Sequence, residues 1–180
     1  MTDYRPLVQA GFFSGSIEQL KTLNTSDVEV AQVVKLKQAG ITDDTSVALV
    51  SAAHANQHPF NSADSVISLQ GARYADADIL DFARANKLDS ISGDAVMLRL
   101  IGLSDSTVQS ILQRHLQGQP TMGTAEIGRL KNTGLTEKQI LERINDGMTD
   151  AQADKEAAAR EAARNHAHTD FVRVRGRKSR

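Results

Sequence analysis

His54 and His58 stand four residues apart, a spacing that on a helix puts two imidazoles on one face, as metal ligands require. The chain around them offers no neighbouring carboxylate, and Pro59 follows at once, so a pair at a helix C-terminus, where the dipole favours imidazolium, is the better reading. His166, His168 and Asp170 alternate near the end of the chain and read as a solvated segment, while His115 is isolated in the sequence. Carboxylates are scattered, with no pair set to drive two pKa values apart for acid–base work. Gly-x-Ser-x-Gly, a phosphate loop and a dinucleotide fingerprint are all missing, and there is no cysteine for thiolate chemistry or sulfur-ligated metals. The expectation is a chain with no catalytic residues, no metal ligands and no cofactor.

The residues that could meet a partner lie at the end. Phe171, Val172, Arg173, Val174, Arg175, Arg177, Lys178 and Arg180 form a basic segment with an aromatic residue at its head. From Ala151 onward eight basic residues face four acidic ones, so this end carries about +4 in a chain whose formal net charge is −1. Such a segment can neutralise phosphates in a salt-sensitive way, and it can meet an acidic protein surface or anionic lipid. Val172 and Val174 would share one side of an extended strand, which also allows addition to the edge of a partner's sheet.

The elements that must carry this segment are helical. Apolar residues make up 40% and aromatic residues 4% of the 180, with no Trp, a composition that favours packed helices over sheets. A motif of Leu, three residues, Gly and a large apolar residue recurs at Leu7–Phe12, Leu36–Ile41, Leu98–Leu103 and Leu130–Leu135, and Leu69–Tyr74 fits with Arg73 in the Gly place. The corner positions Gly11, Gly40, Arg73, Gly102 and Gly134 are about 30 residues apart, the period of helical-repeat units. If each Gly is the left-handed residue after a helix, the Leu and the following apolar residue are the two whose side chains touch in a Schellman cap. Arg73 breaks the rule, so there either the helix ends earlier, at Gly71, or Arg73 is strained.

N-cap candidates follow each corner: Thr42, Ser104 and Thr136 at one offset, Ser14 and Asp76 one residue later. Ser26-Asp-Val-Glu29, Thr136-Glu-Lys-Gln139 and Thr149-Asp-Ala-Gln152 have the capping-box form. Val33, Val66, Ala95 and Ile127 lie three residues before the shared Leu, on its face. Asn56–Asn61, Lys87–Ser92 and Gln117–Gly123 read as connections.

The corner is similar to the first corner of ubiquitin-associated domains, and to that of short bacterial C-terminal oligomerisation modules. Glu126 to Ile144 looks most like the latter. The resemblance covers one corner at a time, rests on cap chemistry open to any helical hairpin, and transfers no functional residue.

The predicted fold is all-α: about nine short helices in helix–Gly corner–helix repeats of about 30 residues, as a small solenoid or compact orthogonal bundle. Residues 1–149 form the repeat domain, 150–169 an Ala-rich charged helix, and 170–180 a basic flexible tail. No apolar stretch reaches the roughly 18 to 20 residues of a membrane span. No signal peptide is visible, so the cytoplasm is the default expectation. The expected role is a protein-interaction or scaffold role, as an accessory subunit docking through the C-terminal helix and basic tail. Nucleic-acid binding through the tail is the second reading.

Overall fold

The computed structural model describes residues 2–177, with side chains described through His166. Eleven helices, and no strand among the described residues, build the chain. They are α1 (Arg5–Gln9), α2 (Ser14–Thr22), α3 (Asp27–Gln38), α4 (Asp43–Ala55), α5 (Ala63–Gly71), α6 (Asp76–Arg84), α7 (Leu88–Leu100), α8 (Asp105–Leu116), α9 (Thr124–Asn132), α10 (Glu137–Asn145) and α11 (Asp150–Arg177). Ten short helices, α1 to α10, stand against the about nine expected, with α11 as the Ala-rich helix, and the five-residue α1 is too short to show a period.

The chain forms two compact units, Met1–Arg99 and Leu100–Arg180. In the first, α1 packs on α3 and α3 on α5, while α2 packs on α4 and α4 on α6. In the second, α8 packs on α10 and α9 on α11. In these pairs a helix meets the one two places on within its own unit, which is how stacked hairpins bury stripes that short helices could not bury alone. The shared leucines Leu7, Leu36, Leu69 and Leu130 are fully buried, as are Val33, Val66, Ala95 and Ile127 one turn before the shared position.

The corners work as caps. Gly40 has φ +88° and Gly134 φ +96°, in the left-handed region where a Cβ is penalised. The N–H of the next residue returns to the carbonyl of the shared Leu: Phe12 to Leu7, Ile41 to Leu36, Tyr74 to Leu69 and Leu135 to Leu130. Arg73 occupies the same conformation at φ +65° after α5 has ended at Gly71, so the unit keeps its corner and sets a non-glycine residue in it.

The joints between units use the same cap, which the sequence did not reveal. Asn24, Gln57 and Asn86 have φ between +54° and +62°, and Gly118 and Gly147 stand in equivalent places. Each is followed by the same backward bond, for example Thr25 to Leu20 and Lys87 to Phe82.

Three local expectations are corrected. The N-caps of α2 and α6 are Phe13 and Ala75, with Ser14 and Asp76 one place inside the helix. Lys87–Ser92 is not a connection, because α7 starts at Leu88 and absorbs Ser90 and Ser92, whose hydroxyls bond back to the carbonyls of Lys87 and Asp89. His54 also has a carboxylate partner after all, as the next section describes.

Candidate interaction surface

Helix N-termini leave backbone N–H groups without intrahelical partners, and a side-chain acceptor usually fills the gap from within the same turn. Here an acceptor often comes from the unit that follows. The Asp43 carboxylate, at the first position of α4, accepts from the N–H of Phe13, the N-cap of α2, at 2.8 Å. Glu137, at the first position of α10, accepts from the N–H and hydroxyl of Ser104, the N-cap of α8, and from the Thr107 hydroxyl. Asp150 of α11 accepts from Gly123 N–H at 2.8 Å, and Asp27 of α3 from Asp3 N–H at 2.8 Å. Asp76 meets the Thr45 hydroxyl and Asp89 the Ser62 hydroxyl. The Ser104 and Thr107 hydroxyls hold the Glu137 carboxyl below the usual carboxylate range.

These acids latch stacked hairpins edge to edge. Lysines reinforce two of the latches from the Gly−3 position. Lys37 pairs with Asp43 at 2.5 Å and lies over the rings of Phe12 and Phe13. Lys131 donates to the carbonyls of Ile101 and Gly102. The sequence signal was Leu-Lys-x-x-Gly-Ile/Leu-Thr-Asp/Glu, present at Leu36–Asp43 and Leu130–Glu137.

Glu29 is the most deeply placed carboxylate in the first unit. One oxygen accepts from His54 Nε2 at 2.6 Å and Phe60 N–H at 2.9 Å, and the other from the N–H and hydroxyl of Ser26. Burial pushes its pKa up, but the N–H groups of Ser26 and Phe60 and the donors from His54 and the Ser26 hydroxyl outweigh it, and the carboxyl titrates below its ordinary value. Among the described residues no three His, Asp or Glu side chains gather into a metal-binding group. His54 and His58 diverge, His54 to Glu29 and His58 to Asn86 Oδ1 at 2.8 Å.

The residues expected to meet a partner lie on and beyond α11. This helix begins level with α9, through the Asp150–Gly123 bond, and seats Ala153 and Ala157 in the interior. Arg129 of α9 pairs with Asp154, and Arg164 reaches the carbonyl of Asn132, where α9 ends. On the other side Glu156 binds Arg143 of α10 at 3.1 Å and Arg160 at 3.1 Å, and these arginines hold its carboxyl below the usual range. At 28 residues α11 is about 42 Å long and runs on past the nine residues of α9. Its backbone passes through Phe171, Val172, Arg173, Val174, Arg175 and Arg177, whose side chains lie outside the described residues, as do those of His168 and Asp170. Lys178 and Arg180 lie outside the described residues altogether.

No family model, curated protein or solved structure matches the chain. No helix among the described residues is long and apolar enough to cross a membrane.

Proposed function

We propose that the protein is a non-catalytic interaction or scaffold subunit that docks on a protein partner through the later part of α11 and the basic residues after it. The observation that carries this reading is the length of α11. The stack needs only the part of this helix that lies along α9, up to Arg164, yet the helix continues to Arg177 and its sequence turns basic. Within the stack, Asp154, Glu156, Arg160, Glu161 and Arg164 of α11 bond to α9 and α10 or to one another. Arg173, Arg175, Arg177, Lys178 and Arg180 supply the positive charge beyond Arg164. A helical backbone favours docking of a helix in a partner's groove over strand addition through Val172 and Val174.

The second reading is nonspecific contact between the same cations and nucleic-acid phosphates, favoured by five basic residues within Arg173–Arg180. Salt separates the two. Titrating the full chain into single- and double-stranded oligonucleotides between low and high salt tests the phosphate reading, which requires affinity to fall steeply and linearly on a log–log plot. A groove-docked helix predicts no measurable oligonucleotide affinity near physiological salt.

A further inference from the structure

We draw no further inference here: the strongest candidate, the surface patch at the first corner where the Phe13 ring stands 76% exposed beside Lys37 and Asp44, carries nothing because Lys37 already lies over that ring and nothing in the structure shows what else covers it.

Discussion

His54 Nε2 lies 2.6 Å from Glu29 Oε1, joining the last turn of α4 to the first turn of α3 across 25 residues of chain. The Glu29 side chain is 3% exposed and the His54 side chain 28% exposed. Because Glu29 also holds Ser26 and the N–H of Phe60, one carboxylate ties the start of α3, the end of α4 and the entry to α5. Glu29→Ala strands several buried donors at once and should destabilise the protein by about 3 kcal/mol, measured by urea unfolding. Glu29→Gln keeps one acceptor and should cost less.

The same group sets an acid sensitivity. Its folded pKa lies below the ordinary 4.5, so its contribution is complete above that value and is lost as pH falls through the folded pKa. Stability measured in steps from neutral pH to about 3 should therefore fall more steeply in the parent than in Glu29→Gln. Parallel curves would assign the acid loss to other carboxylates.

The latches between hairpins predict a contrast between adjacent aspartates. Asp43, buried and bonded to Phe13 N–H and Lys37, should cost about 2 kcal/mol when replaced by alanine. Asp44, its exposed neighbour, should cost under about 0.5 kcal/mol. Chemical denaturation of the two variants side by side checks this.

Corner conformation predicts effects of opposite sign. A Cβ at Gly134 would meet no atom within 4 Å, so Gly134→Ala pays only for φ +96° and should destabilise by about 1 kcal/mol. Arg73→Gly relieves φ +65° at some cost in unfolded-chain entropy and should stabilise by about 0.5 kcal/mol. Thermal melts of both variants against the parent provide the comparison.

The corners were legible in the sequence because a left-handed residue after a helix calls for glycine, and the Leu and apolar residue around it mark the cap. Asn24, Gln57 and Asn86 perform the same task between units, but such residues look like any loop residue until their φ is known. The latches were hidden for a different reason. Asp43 and Phe13, or Glu137 and Ser104, are about 30 residues apart and become neighbours only once hairpins have stacked. At the C-terminal end, charge was legible from composition, and the kind of partner is not written in a run of arginines.

The central claim is that the end of α11 and the basic residues after it dock on a protein. Its most direct test is a binding isotherm between the purified partner, recovered from nuclease-treated native extract, and two proteins, the full chain and the chain ending at Thr169. The account predicts saturable 1:1 binding by the full chain and a loss of at least about tenfold on truncation, with both proteins equally folded. Equal affinity for the two, or capture that vanishes once nucleic acid is digested, would contradict it.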